Sequence, residues 1–276
     1  AKYGGAFLCV FVDNDRRCLN DILPSRSKVH LSRHISAIPK SERDRVRYVT
    51  IDLWRPYKDV AELYFKNAIV AADPFHVVKH LVECFSSLRI SIMNQAVRNS
   101  PAYYLLKHYN WLFLRTDINL DGPAQNNQFF RRKMTLREIR DLLLDINPDL
   151  TLAYRLMDRY RDFVREATEY DCEEKLDMLI EMFEAANLSC YDEFVGILKT
   201  WKKEIINSFR KPDGIHKLSN ALSENTNEQI RTLINVSNGY ANFERFRARV
   251  LYCFNNNVFY SLTRSIFPKQ RSGKKR

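Results

Sequence analysis

The chain has 276 residues, which is long enough to bury a core in one large domain or two smaller ones. A hydrophobic content of 45%, with only 7 glycines and 9 prolines, is typical of a helix-rich globular protein and excludes a disordered tail. The formal net charge of +11 favours polyanionic partners such as nucleic acid.

The first predicted domain, residues 1–98, alternates strands with helices. Residues 6–13 and 18–23 predict a β-hairpin, because a turn-prone Asn-Asp pair lies between them. A strand that ends in Asp52, a helix, a second strand that ends in Asp73 and a further helix follow. Strand, helix, strand, helix predicts a sheet with crossover connections.

The period changes after this segment. Residues 99–215 show helical spacing of apolar side chains and predict an all-α domain, with a capping box at Thr135 and Glu138. Residues 216–262 predict two more helices, and residues 263–276 form a basic tail. The whole chain is therefore predicted to be predominantly helical.

Three carboxylates are candidates for chemistry. Asp52 and Asp73 each end a predicted strand, where α/β sheets usually place their sites. Glu224 begins a helix whose same face carries Asn227 and Arg231. The alternatives are structural, because an aspartate after a strand is often an N-cap and a glutamate in a first turn complements the helix dipole.

Neither a zinc site nor a membrane-spanning segment is expected. The six cysteines are scattered without a Cys-x-x-Cys pair, which predicts buried thiols in a reducing compartment. His30 with His34, and His76 with His80, have the spacing of a zinc pair but lack a third ligand in the sequence. No apolar run approaches the roughly 20 residues of a membrane span, so we expect a cytoplasmic protein without a membrane partner.

Two stretches carry a family resemblance. The first is "VTIDLWRPYKDVAELYFKNAIVAADPFHVVKHL", and the second is "SNALSENTNEQIRTLI" followed by "NGYANFERFRARVL". In this order, with a helical insertion between them, they resemble the catalytic core of bacterial DDE insertion-sequence transposases of the ISL-three group, which implies a bacterial protein. The resemblance covers essentially the whole chain.

The resemblance implies an RNase H-like α/β fold, with a mixed sheet and flanking helices, interrupted by the all-α insertion. It also implies an Asp, Asp, Glu triad that holds two Mg²⁺ ions, with Asp52 as the second carboxylate and Glu224 as the third. The first carboxylate is expected before Ala1, and neither Asp13 nor Asp15 is assigned to it. We therefore expect a C-terminal catalytic-core fragment without the family's zinc-binding and helix-turn-helix segments.

Further residues have expected supporting roles. Asp73, His76 and Asn227 are expected to support the carboxylates. His76 is expected to orient Asp73 or a scissile phosphate, and a packing role is the alternative. Contacts to DNA phosphates are expected from cationic side chains, although a solvated basic face is the alternative: Lys79, Arg231, Arg245, Arg247, Arg249 and, in the tail, Lys269, Arg271, Lys274, Lys275 and Arg276.

The predicted function is metal-dependent DNA cleavage and strand transfer for an insertion sequence, with DNA as partner and a homo-oligomer in the synaptic complex. The fragment is expected to be inactive by itself. Two other functions remain open: a DNA-binding remnant of a transposase that has lost its chemistry, and a helical interaction scaffold.

Overall fold

The computed structural model of the chain describes residues 1–3, 5–237, 240 and 242–255. The predicted basic tail, residues 263–276, lies outside them. No helix in this described part is both long and apolar enough to cross a membrane.

The described residues are predominantly helical, with short strands in pairs. The strands are β1 (Lys2–Tyr3), β2 (Ala6–Phe7), β3 (Cys9–Asp13), β4 (Cys18–Leu23), β5 (Tyr48–Ile51), β6 (Ile69–Ala72), β7 (Gln125–Asn127) and β8 (Arg132–Met134). The helices are α1 (Lys28–Ser36), α2 (Lys40–Arg43), α3 (Arg55–Tyr64), α4 (Pro74–Gln95), α5 (Pro101–His108), α6 (Trp111–Leu114), α7 (Leu136–Leu144), α8 (Pro148–Glu166), α9 (Cys172–Ala185), α10 (Asp192–Thr200), α11 (Lys202–Asn207), α12 (Ala221–Val236) and α13 (Phe243–Asn255).

The chain divides into two compact units. One combines residues 1–43 with residues from 220 onward, and the other is the continuous segment 44–219. Strands β5 and β6 belong to the same unit as the helices that follow them. The predicted domain boundaries at residues 98, 215 and 262 stay predictions.

The discontinuous unit is built around a hairpin. Strands β3 and β4 pair antiparallel from Cys9 opposite Leu23 to Asp13 opposite Cys18, which confirms the predicted hairpin. Helix α12 contacts β3 and helix α13 contacts β4. The core between them is apolar and consists of Leu8, Leu19, Ile22, Ile230, Leu233, Phe246, Val250 and Cys253.

The continuous unit begins with a parallel strand pair. Strands β5 and β6 pair in register from Tyr48 opposite Ile69 to Ile51 opposite Ala72, with α3 as the crossover between them. Helix α11 packs against β6, and the Asn207 side-chain amide donates a hydrogen bond of 2.8 Å to the Val70 carbonyl. The predicted strand, helix, strand, helix order is confirmed.

Aromatic side chains fill the helical part of this unit. Phe194 on α10 lies edge-on to Tyr160 of α8 and Phe183 of α9, with ring centroids 5.2 and 5.3 Å apart. Phe85 on α4 meets Phe113 of α6 edge-on at 5.1 Å. The apolar side chains at helical spacing therefore form the core of this unit, as expected for amphipathic helices.

The predicted capping box is also present, since Thr135 Oγ1 accepts from the backbone of Glu138, whose side chain accepts from the backbone of Thr135.

One feature of the predicted fold was wrong, and another stays a prediction. The segment 99–215 is not all-α, because β7 and β8 form an antiparallel hairpin within it. The strand pairing of the described residues consists of four separate two-stranded sheets. The continuous mixed sheet of an RNase H-like core therefore stays a prediction.

Candidate active site

Two aspartates meet at one edge of the parallel strand pair. Asp52 follows the last residue of β5, and Asp73 follows the last residue of β6. Because Ile51 lies opposite Ala72 and the Asp73 N–H donates to the Ile51 carbonyl at 2.8 Å, the two chains leave the sheet side by side. This is the carboxyl edge of the pair, where open α/β sheets place their ligands.

A histidine joins the two carboxylates. His76 lies in the first turn of α4, and its Nδ1 is 2.9 Å from Asp73 Oδ2 and 3.5 Å from Asp52 Oδ1. One ligand atom from each of the three residues lies within 4.8 Å of the other two. We call Asp52, Asp73 and His76 the carboxylate–imidazole cluster.

Capping does not explain the two aspartates. The N-cap position of α3 is Trp54 rather than Asp52, and no side chain makes a capping hydrogen bond there. Asp73 does occupy the N-cap position of α4, yet its side chain makes no capping hydrogen bond. Its carboxylate instead contacts His76, so its position serves the cluster rather than the helix end.

The cluster has a buried side and an open side. Asp73 is 1% exposed, whereas the Asp52 side chain is 38% exposed. A carboxylate only accepts hydrogen bonds, so His76 Nδ1 carries the proton when Asp73 is ionised. The N-termini of helices α3 and α4 carry partial positive charge, which stabilises the negative charge of the aspartates at the strand ends. Asp73 therefore holds the imidazole, and Asp52 faces solvent.

The donor set fits a divalent cation. Metal–oxygen bonds to Mg²⁺ are about 2.0–2.1 Å, so oxygens on opposite sides of one ion are about 4 Å apart, and a carboxylate oxygen of Asp52 lies within 4.8 Å of one of Asp73. Magnesium prefers carboxylate oxygens, and His76 Nδ1 is already occupied by its hydrogen bond to Asp73. Asp52 is therefore the best-placed ligand of the three.

Glu224 lies in the other compact unit. It occupies the first turn of α12, half-buried, and its N–H donates to the Asn220 carbonyl at 2.9 Å. Asn227, one turn later, accepts a 2.9 Å hydrogen bond from the nitrogen of Ala1, and Arg231 is exposed. The assignment of Glu224 as a metal ligand and of Asn227 as its support stays a prediction.

The predicted DNA-contacting cations differ in their surroundings. Lys79 is exposed and lies 3.9 Å from Glu83, and Arg245 and Arg249 are exposed. Arg247 is different, because its Nε and Nη2 donate to the two oxygens of the buried Asp21 at 2.5 and 2.9 Å. This ion pair raises the pKa of Arg247.

The ion pair changes the interpretation of Arg247. Its guanidinium joins α13 to β4 inside one compact unit, with His34 Nε2 also 3.5 Å from Asp21. A side chain already bound in this way is a structural cross-link. A DNA contact of Arg247 stays a prediction.

Sequence reasoning missed two exposed aromatic residues beside the cluster. Trp54 is 41% exposed and Phe75 is 60% exposed, and each stands two residues after one of the aspartates. The Phe75 ring lies edge-on to His76 at 5.8 Å between centroids. The sequence signal that could have pointed to both residues is their position two residues after each aspartate.

Comparisons with known proteins identify a family for the chain. Residues 1–250 match the DDE transposase family of the ISL-three group, which is described as transposase. The chain belongs to this family.

A similar curated protein is the transposase for insertion sequence element IS1001 of Bordetella parapertussis, which is 25% identical over 256 residues, or 92% of this chain. The chain spans 59% of the length of that relative. No solved structure matches the chain.

Proposed function

We propose that the chain forms the catalytic core of an insertion-sequence transposase that cuts DNA and transfers the cut strand with the help of Mg²⁺. The carboxylate–imidazole cluster is the observation that carries this proposal. It places Asp52, a hard oxygen ligand, at the carboxyl edge of a parallel strand pair in a chain of a transposase family.

The residues have separate roles in this proposal. Asp52 and Glu224 supply carboxylate oxygens to the metal, and the family resemblance is what supports Glu224. Mg²⁺ held by these carboxylates would supply activation of the attacking oxygen and stabilisation of the leaving oxygen in a phosphoryl transfer. The buried Asp73 fixes the position of His76 through the 2.9 Å hydrogen bond, and His76 in turn lies 3.5 Å from Asp52.

The proposed partner is DNA, and the proposed assembly is a homo-oligomer that brings the two element ends together. Lys79, Arg231, Arg245 and Arg249 remain the proposed phosphate contacts, since all four are exposed. The RNase H-like arrangement of the core and a bacterial cytoplasmic location belong to the same proposal.

Mg²⁺-dependent cleavage of the element's ends tests the catalytic roles. The assay compares this chain with the longest reading frame that contains it, each as wild type, Asp52→Asn and Glu224→Gln. An amide is a poorer ligand for Mg²⁺ than a carboxylate, so both substitutions are expected to abolish cleavage and joining. Asp117→Asn and Glu228→Gln are the matched controls, because both side chains are exposed and lie outside the proposed ligands.

Each outcome has a defined meaning. Cleavage by Asp52→Asn or Glu224→Gln within about tenfold of wild type would contradict the ligand assignment. Activity of this chain alone would mean that all required carboxylates lie within residues 1–276. DNA binding without cleavage in the longest reading frame would favour the alternative, a DNA-binding remnant that has lost its chemistry.

A further inference from the structure

The hairpin of β7 and β8, residues 125–134, is fixed rigidly to the helices beneath it. Asn127 is 3% exposed, accepts from the backbone N–H groups of Phe129 and Phe130, and donates to the Tyr109 hydroxyl at 3.0 Å. Phe129 stacks on Tyr104 with ring centroids 4.2 Å apart. A turn anchored by a satisfied buried amide and stacked rings has little freedom to move.

This rigid hairpin carries three consecutive cations, Arg131, Arg132 and Lys133, all exposed. Arg132 is paired with Glu138 at 3.0 Å. Arg131 and Lys133 take part in no ion pair with any described residue. Met134 is buried, and because side chains alternate along a strand, Lys133 points to the opposite, solvent side.

The neighbouring side chains on the hairpin are amides. Asn126, which lies opposite Lys133, and Gln128 are both exposed. Amides and cations together are the groups that bind phosphate oxygens and base edges. The cores of protein–protein interfaces are instead enriched in aromatic residues and poor in lysine. The two aromatic rings of this hairpin, Phe129 and Phe130, both contact the ring of Tyr104.

We propose that the hairpin 125–134 is a DNA-contacting ribbon in which Arg131 and Lys133 each bind a backbone phosphate. The proposal rests on the proposed function, which supplies DNA as the partner. The backbone of the ribbon is already ordered, so binding does not carry the cost of ordering a loop, and only the rotamer freedom of the two side chains is lost.

The salt dependence of duplex DNA binding tests this proposal. The probe is a fluorescently labelled duplex, and the variant is Arg131→Asn with Lys133→Gln. Asparagine is chosen because Arg131 has a φ of 52°, a left-handed conformation that Asn tolerates. The control is Arg155→Gln with Arg159→Gln, two exposed arginines of α8 in the same compact unit.

Each phosphate contact contributes about 0.9 to the slope of log K against log salt concentration, so losing two should reduce the slope by about 1.8. The control pair is expected to leave the slope unchanged. The single variant Lys133→Glu, which keeps the backbone at residue 131, should weaken binding further than Lys133→Gln. Circular dichroism checks that all variants are folded.

The outcomes separate the two proposals. Wild-type protein that binds DNA with a steep salt slope, together with a hairpin variant of unchanged slope, would overturn the hairpin inference and leave the proposed function standing. Wild-type protein without salt-dependent DNA binding would contradict the DNA partner itself. Equal slope changes in the hairpin variant and the α8 control would show a general charge effect and would also overturn the inference.

Discussion

Removing Lys58 should destabilise the continuous unit strongly, because it leaves a buried carboxylate without its partner. Lys58 Nζ on α3 lies 2.7 Å from Glu204 Oε1 on α11, and the two side chains are 13% and 2% exposed. The other oxygen, Glu204 Oε2, is buried without a hydrogen bond from any described residue. Breaking a buried pair by removing one partner typically costs about 3–5 kcal/mol, and we expect Lys58→Met to fall in this range.

Replacing both partners should cost far less than replacing one. The variant Lys58→Met with Glu204→Leu removes the buried charge along with its partner, and such apolar replacements are often neutral or stabilising. We expect its free energy of unfolding to stay within about 1 kcal/mol of wild type. The unsatisfied Oε2 strengthens this expectation, because its loss removes a polar atom that has no hydrogen bond to lose.

Urea unfolding followed by tryptophan fluorescence measures this effect. The three tryptophans, Trp54, Trp111 and Trp201, all lie in the continuous unit, so the signal reports on that unit. Lys202→Met is the control, because the Lys202–Asp177 pair is partly exposed, is screened by solvent and should contribute far less to stability. A single variant that costs no more than this control, or a double variant as unstable as the single one, would refute the reasoning.

Three further results are expected. Asn127→Ala should lower the stability of the continuous unit by about 1–3 kcal/mol in the same urea experiment, because it leaves two turn N–H groups and the Tyr109 hydroxyl without their partner; an unchanged midpoint would contradict this role. Arg247→Gln should speed hydrogen exchange in β4 and α13, because it breaks the pair with buried Asp21, whereas exposed Arg245→Gln should not. Burial and a hydrogen bond to Asp158 raise the pKa of Tyr154 to about 12. Between pH 10 and 12 the Tyr154 hydroxyl therefore loses its proton in the unfolded chain before it does in the folded one, so the free energy of unfolding falls as pH rises. Tyr154→Phe should make this fall shallower than in wild type, and an equal fall in both proteins would contradict the expectation.

The edge that carries Asp52 and Asp73 could be predicted from the sequence because its signals are local. Each aspartate closes a short run of β-branched or apolar residues and precedes a helix, and parallel pairing then brings the two strand ends together. The contact of His76 with Asp73 was also within reach, since three residues separate them at the start of one helix.

The remaining features depend on partners that are distant or on elements that are too short. The sequence predicts only an exposed cation at Arg247, because its partner, Asp21, lies 226 residues away along the chain. Strands β7 and β8 have three residues each, with mostly polar side chains, so they show neither alternation nor β-branched runs. What fixes their hairpin is the buried Asn127, and the burial of one polar residue leaves no periodic pattern in a sequence.

The split of one compact unit between residues 1–43 and residues from 220 onward has a consequence for the order of synthesis. The hairpin of β3 and β4 leaves the ribosome early, but the helices that cover it, α12 and α13, are translated only after the whole of 44–219. The continuous unit can fold during this interval, since domains fold as units while the chain is still growing. The apolar face of the hairpin, with Leu19 and Ile22, therefore stays uncovered by these two helices until they have been translated.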